Sequence, residues 1–380
     1  MSIMSEFSLL LSSDFVDQRE SLLLAPYAMF SRDSLGRKRP EAPHPYRGPF
    51  QRDRDRILHS SAYRRLSGKM QVFTGEMGDY HRTRLTHTQE VATIARTIGR
   101  VLKLNEDLIE ALALMHDIGH PPYGHCGEDA LDEVMRPYGG FSHNRFALTI
   151  VQEMEYRYQQ FPGLNLTAEV LAGQADRTEK NKLDRSSLLE VQLVDAADST
   201  AYDAHDTDDA IKLGLVSLEQ LQQVPLIRQC VEQVREHYSD LSERFLSKAV
   251  VHHLVNLQVT DMIEFNVREL ASRDFLSSSE AMSSDFRIGP SPELAAKKRE
   301  LEGFLFQHVY RHPKLISIRQ QAHDKIQSLW GIYVDDPSRL PKKYQLRAEQ
   351  IGVQAMAAHY IAGMTDRFFE DTHRIMTQSR

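Results

Sequence analysis

Apolar residues spaced three and four positions apart recur along most of this chain, and that spacing limits its fold more than any other feature. Val91, Ile94, Ile98, Val101 and Leu102 form one such stripe, with Thr86 and Gln89 at capping-box spacing before it. This pattern predicts a helix over Thr86–Leu104. Leu108, Ile109, Leu112 and Met115 carry the period onto a second helix, until Gly119, Pro121 and Pro122 stop it. Further stripes predict helices over Leu188–Ala204, Leu241–Leu270, Glu293–Tyr310, Pro313–Leu329 and Arg347–Asp371. Period-2 alternation is scarce. The expected fold class is therefore all-α, with helices packed around a central pocket. Room is left for a short β-hairpin around Val72–Tyr80 and for polar loops near Glu179–Ser187 and Ser277–Ser284.

The 380 residues allow one large domain or two to three ordinary ones, and 41% apolar with 26% charged residues excludes collagen-like, coiled-coil and disordered chains. No run approaches the roughly 18 apolar residues of a membrane span, so no membrane association is expected. Two cysteines, Cys126 and Cys230, cannot staple a protein of this size, which favours a reducing compartment and a cytoplasmic location. The net charge of −7 hides an asymmetry: Ser31 to Lys69 carries eleven basic residues against four acids, leaving −14 for the remainder. Pro40, Pro43, Pro45 and Pro49 disfavour regular structure before about Phe50, so residues 1–50 read as an extended arm. Two readings of the arm stay open: a solvated connector, or a surface facing phosphate or a partner.

Chemistry concentrates in MHDIGHPPYGHCGE, Met115 to Glu128. His116, Asp117, His120, His125 and Glu128 fall within thirteen positions at a helix end, a density that packing does not explain. Imidazole nitrogen with carboxylate oxygen suits manganese, iron, cobalt, nickel or zinc, and magnesium less well. Other ligands must come from elsewhere. His87 stands upstream, after Arg84. Downstream, seven acids lie between Glu190 and Asp209 without a lysine or arginine, and Asp195, Asp198, Tyr202 and Asp206 share one face of a helix. That helix is also apolar, so its carboxylates call for a cation or hydrogen-bond donors.

The order His87, His116–Asp117, Asp198 resembles the H…HD…D signature of the HD metal-dependent phosphohydrolases. RRLSGKMQVF, RTRLTHTQEVATIAR, HDIGHPPYGHCGEDAL, FSHN, VDAADSTAYDAHDTDDA, FLFQHVYRHP and HYIAGMTDRF are similar to the dGTPase-type deoxynucleotide triphosphohydrolases within that superfamily, from about residue 50 onward. The resemblance implies an HD helical core at 51–215 and a C-terminal helical region at 216–380 that completes the nucleotide pocket and makes oligomer contacts. It implies hydrolysis of a dNTP to deoxynucleoside and inorganic triphosphate.

By that resemblance one divalent ion is held by His87, His116, Asp117 and Asp198; spacing alone does not choose Asp198 over Asp195. His125 and Glu128 correspond to an acid–base dyad, and His120 and His143 to histidines that contact phosphate or the dyad. Arg84, with Lys69 or Arg65, would cradle the triphosphate. Gln71 and Asp206 correspond to residues on the sugar 3′-hydroxyl, Tyr202 to a steric gate against ribose, and Tyr310 to a lid on the pocket. The family also implies a homo-oligomer, tetramer or hexamer, a dNTP activator, and single-stranded DNA as a partner of some members. Two other readings remain: another HD phosphohydrolase, such as a nucleotidase or phosphodiesterase, or a nucleotide- or DNA-binding regulator with a structural metal.

Overall fold

The computed structural model describes residues 14–71, 82–178, 187–238 and 240–378. Its helices include α1 (Phe15–Leu23), α2 (Pro49–Leu58), α3 (Arg84–Val101), α4 (Glu106–Met115), α5 (His125–Met135) and α6 (His143–Thr149). They continue as α7 (Leu189–Lys212), α8 (Pro225–His237), α9 (Glu243–Ala271), α10 (Pro292–Leu305), α11 (Pro313–Asp335), α12 (Lys342–Ile351), α13 (Val353–Ala362) and α14 (Asp366–Gln378). Among the described residues the only β pairing is isolated bridges, so the fold is all-α. The expected hairpin at Val72–Tyr80 and most of the expected loop at Glu179–Ser187 lie outside the described residues.

Two apolar cores share one helix. The larger buries Ile98 of α3, Leu108 and Ile109 of α4, and Leu193 of α7 together with Ile326 and Ile361 from far along the chain. The smaller joins Ala204 and Ala210 of α7 to Ile227 and Val231 of α8, Leu254 of α9 and Leu301 of α10. α7 therefore belongs to both cores and changes allegiance between Ala201 and Ala204. α3, α4 and α7 pack on one another, and α11 and α13 cover α5. No described helix is long and apolar enough to cross a membrane.

Several boundaries differ from the sequence pattern, for local reasons. α3 begins at Arg84, because the Thr83 hydroxyl accepts from the Thr86 amide at 3.3 Å and caps the helix there. Gln89, instead of closing a capping box at Thr86, donates to the Tyr63 hydroxyl. The stripe at Arg347–Asp371 is three helices; Gly352, at φ +89°, ends one and begins the next. Beyond α10 the chain widens into a π turn over Phe306–Tyr310, which carries Tyr310 toward α7.

The N-terminal segment is folded onto the body and not extended throughout. The Glu20 carboxylate on α1 accepts from the Ser31 amide at 2.7 Å and from the Asn105 amide group at 3.1 Å. Part of the segment's charge is paired: Arg37 with Asp53, Arg52 and Arg56 with Glu41, Arg47 with Asp55, and Arg54 with Glu110. Four of these pairs use acids already counted in the segment's net charge, and only Arg54 draws on an acid outside it, so a basic excess remains.

One close approach fixes how α6 meets the loop after α4. A Cβ on Gly119 would lie 2.0 Å from the His143 carbonyl oxygen and 2.6 Å from the Ala147 amide nitrogen, both main-chain atoms that cannot swing aside. Gly119→Ala is therefore expected to destabilise the protein by roughly 1–3 kcal/mol, the usual range for overpacking. Urea unfolding measures it, and a wild-type midpoint would contradict the packing described.

Candidate functional site

The site lies where α7 passes from one core to the other, with α3 and the end of α4 facing it. His87 is one turn into α3. His116 is the C-cap of α4, and Asp117 follows it. Asp198 approaches from α7: its Oδ1 lies 3.0 Å from His87 Nε2 and 3.6 Å from His116 Nε2, and Asp117 Oδ1 is 3.6 Å from the same His116 nitrogen. His87, His116 and Asp117 offer donor atoms that all lie within 4.8 Å of one another. Asp195, the alternative on the same face, is turned toward Arg177 and pairs with it.

The donors fit a divalent ion on their own chemistry. Nitrogen and oxygen ligands about 2.0–2.2 Å from an ion lie roughly 3.0–3.5 Å apart, close to the spacings here. The His116 Nδ1–H donates to the Ala113 carbonyl at 2.6 Å, which leaves Nε2 bare, buried and without a hydrogen-bond partner between two carboxylates. A lone pair facing carboxylate oxygens calls for a cation. Burial would raise both acids, yet His120, Arg84 and His116 hold Asp117 well below the usual carboxylate range, while His116 and His87 hold Asp198 down at about 2. Burial pushes the His116 imidazole down, toward the neutral form that ligates metal.

Behind the donors sits Arg84, fully buried, its Nη1 donating to Asp117 Oδ2 at 2.8 Å while Nε and Nη2 have no partner. Room for it comes from Gly124: a Cβ there would lie 2.4 Å from Arg84 Nη2, and the residue's φ of +59° is also one that favours glycine. Lys69, expected as an alternative cradle, does not line the cavity; its ammonium donates to the carbonyl oxygens of His120 and Ala362. Burial and the nearby Arg65 push its pKa down to about 7.

A second group adjoins the first. Glu128 accepts from the His143 amide at 2.9 Å and lies 2.8 Å from His143 Nδ1 and 3.2 Å from His125 Nδ1. His120 stacks on His143 with centroids 3.7 Å apart, and its Nδ1 lies 2.9 Å from Asp117 Oδ1, so it links the two groups. Burial raises Glu128, but the hydrogen bonds from His125 and His143 outweigh it and keep the carboxylate ionised. These four side chains also meet metal-ligand spacing. Because Glu128 is already engaged by two imidazoles and an amide, their arrangement is that of a proton network with His125 at its open end, 60% exposed.

His125 opens onto a cavity of about 620 Å³, ample for a small ligand. Gln71, Asp198, Tyr202, Asp206 and Tyr310 line it as well. The Tyr202 hydroxyl is 3.5 Å from His125 Nε2, and the Tyr310 hydroxyl donates to Asp206. Gln71 is buried with both side-chain amide atoms unpartnered. The sequence reading did not pick out Glu302, Phe306 and Arg319, which form the far wall. Glu302 and Arg319 lie outside the quoted motifs and Phe306, within FLFQHVYRHP, was given no role; the packing of α10 on α7 and of α11 on α5 brings them there. Asp366 was quoted within HYIAGMTDRF without a role; its carboxylate accepts from the Met70 amide at 2.8 Å and the Tyr123 amide at 3.2 Å, tying both site loops to α14.

Comparison with known proteins gives the family. Residues 84–203 match the HD domain family and residues 288–375 the phosphohydrolase-associated domain. A deoxyguanosinetriphosphate triphosphohydrolase-like protein of Ralstonia pickettii (strain 12J) is 41% identical over 363 residues, covering 92% of this chain and 94% of that one. Proteins described in the same words from Nitrosomonas europaea and Brucella suis (strain ATCC 23445 / NCTC 10510) are 40% identical over 357 residues and 41% over 384. They cover 91% and 92% of this chain, and 95% and 94% of their own lengths. Identity of this degree over nine-tenths of the sequence, joined to the buried histidine–aspartate cluster, places the chain in the HD-domain phosphohydrolase family, among its deoxyguanosinetriphosphate triphosphohydrolase-like members.

Proposed function

We propose that this protein hydrolyses a deoxynucleoside triphosphate to the deoxynucleoside and inorganic triphosphate, using one divalent ion held by His87, His116, Asp117 and Asp198. The observation that carries the reading is the juxtaposition of a buried N/O donor cluster, an ionised Glu128 beside an exposed His125, and a cavity of about 620 Å³. When bound, the ion supplies Lewis-acid stabilisation of charge at the α-phosphate.

The chain's own residues do the rest. Water adds to the α-phosphorus and the bond to the sugar 5′ oxygen breaks, so that oxygen leaves as a hydroxyl and the triphosphate departs from it. His125 Nε2 is the atom on the cavity side through which that proton passes, and the Glu128 carboxylate supports the charged imidazole. Arg84, with two unpartnered donor groups, adds positive charge behind Asp117. The Tyr202 ring occupies the wall beside His125 as a gate against a 2′-hydroxyl, and Gln71 with Asp206 supplies unpartnered polar atoms for the 3′-hydroxyl. Tyr310, held on Asp206, closes the cavity. The reading extends to a homo-oligomer, tetramer or hexamer, and a monomer mass by light scattering at micromolar concentration would remove that part. A dNTP activator is included. So is a cytoplasmic setting.

Three measurements test the reading. Incubation with each dNTP and with GTP, in Mg or Mn, should release triphosphate and deoxynucleoside in equal amounts and leave GTP intact. A four-dNTP mixture tests activation, and silence there sinks the assignment. His125→Ala is expected to abolish turnover with bound metal and melting temperature nearly unchanged, whereas Asp117→Ala should lose the ion; the opposite pattern of metal content would reverse the two roles.

The third concerns Asp206. Burial drives its carboxyl up to about 6 despite the hydrogen bond from Tyr310. With the folded pKa raised above the unfolded value, its favourable contribution is complete below about pH 4 and is lost as pH rises through 6. Asp206→Asn cannot ionise. In chelator-treated protein its melting temperature should gain on wild type between pH 5 and 7.5, by up to on the order of 2–3 kcal/mol in stability. A difference that stays constant with pH would show that Asp206 is not held neutral by burial.

A further inference from the structure

We infer that Glu90 and His205 form a positioning relay that fixes the tautomer and aim of His87, and so sets the affinity of the metal centre; the inference rests on the metal reading above. His87 and Glu90 are three residues apart on α3, and His205 faces both from α7, two turns beyond Asp198. His205 Nδ1 lies 3.1 Å from His87 Nδ1, and its other nitrogen, Nε2, meets the Glu90 carboxylate. Both imidazoles are buried, which restricts their partners to these atoms.

With an ion taking the lone pairs of His87 Nε2 and Asp198, the remaining hydrogen-bond partners leave one neutral assignment. An ionised carboxylate only accepts, so the His205 proton lies on Nε2, toward Glu90. His205 Nδ1 is then a bare acceptor, and the proton between the rings belongs to His87 Nδ1. His87 Nε2 is left with its lone pair toward Asp198 Oδ1, 3.0 Å away. Without the relay the His87 proton is free to sit on Nε2, where it would hydrogen-bond Asp198 and close the centre to a cation. Glu90 is itself placed: Arg82 Nε lies 3.4 Å from it, while the same guanidinium donates to Asp209 at 3.1 Å and Asp208 at 3.3 Å, clamping α3 to α7. Ala113 performs the equivalent service for His116 through its carbonyl. Both histidines of the proposed ion site are thus oriented from behind, as metal-binding histidines generally are.

The experiment uses the full chain stripped with a chelator and titrated with Mn²⁺, free ion being read by electron paramagnetic resonance. Wild type should bind one ion per chain. His205→Ala is expected to weaken Mn²⁺ binding about 10–100-fold, in line with the loss of such an outer partner. His205→Asn places a carbonyl oxygen near the former Nδ1, accepts from His87 and should recover most of the affinity. A merely structural role would not be rescued in this way. Glu90→Ala acts from the half-exposed end of the relay, where the fold tolerates it, and should weaken binding, while Glu90→Gln, still an acceptor, should not. Wild-type affinity in both alanine variants would overturn the relay and leave the metal centre standing. A wild-type protein that binds no Mn²⁺ would overturn both.

Discussion

The buried carboxylate of Asp117 is the constraint around which the site is built. A charge this far from water is stable only if every lone pair is met. Arg84 meets Oδ2 from α3, and His120 and His116 approach Oδ1 from the loop and the end of α4. Each partner then imposes its own demand. Arg84 needs a glycine at 124 to admit its guanidinium, and His120 needs His143 as a stacking neighbour, which in turn needs α6 to come up against Gly119. The glycines of GHPPYGH thus follow from the electrostatics of one aspartate.

The same loop shows how the distant C-terminal third takes part. Tyr123 has φ +64°, an uncommon conformation for a residue with a bulky side chain, and persists there only with outside support. Its amide donates to Asp366 and its hydroxyl to Glu370, both on α14. Asp366 also takes the Met70 amide, so the segment that leads to Gln71 and the loop that presents His125 are fastened to one carboxylate. Residues matching the phosphohydrolase-associated domain therefore brace a loop of the HD domain and the segment just before it, as well as walling the cavity.

How much of this was legible in the sequence depended on whether a feature is local. The helix stripes at Val91–Leu102 and Leu108–Met115 announced α3 and α4 because their period is a property of neighbouring residues. His116, Asp117, His120, His125 and Glu128 announced themselves by density. Asp198 against Asp195 was not decidable from spacing, since both face the same side; Arg177, on another segment, draws Asp195 away. Lys69 and Arg84 look alike as basic residues near His87, yet one is directed at main-chain carbonyls and the other at Asp117. The net charge of the N-terminal segment could be counted from the sequence, but not which arginines Glu41, Asp53 and Asp55 meet in space. The far wall at Glu302, Phe306 and Arg319 exists only through the packing of helices separated by about a hundred residues from α7.

Burial divides the site in a way that suits the proposed chemistry. Of the four donors proposed for the ion, His87, His116 and Asp117 are almost fully enclosed, where a low dielectric strengthens attraction for a cation and fixed partners prevent the ligands from turning away, while Asp198 also lines the cavity. His125 alone among the site histidines lines the cavity, where the proposed reaction would exchange a proton with a substrate and then with water. Glu128 stands between the two regimes: it is shielded enough that its charge is felt by His125, and anchored by the His143 amide so that it does not follow the imidazole outward. A site with the acid–base residue buried and the ligands exposed would hold its ion loosely and exchange protons slowly. The seam between the two cores, with α7 running through it, provides one dry face and one wet face on the same helix.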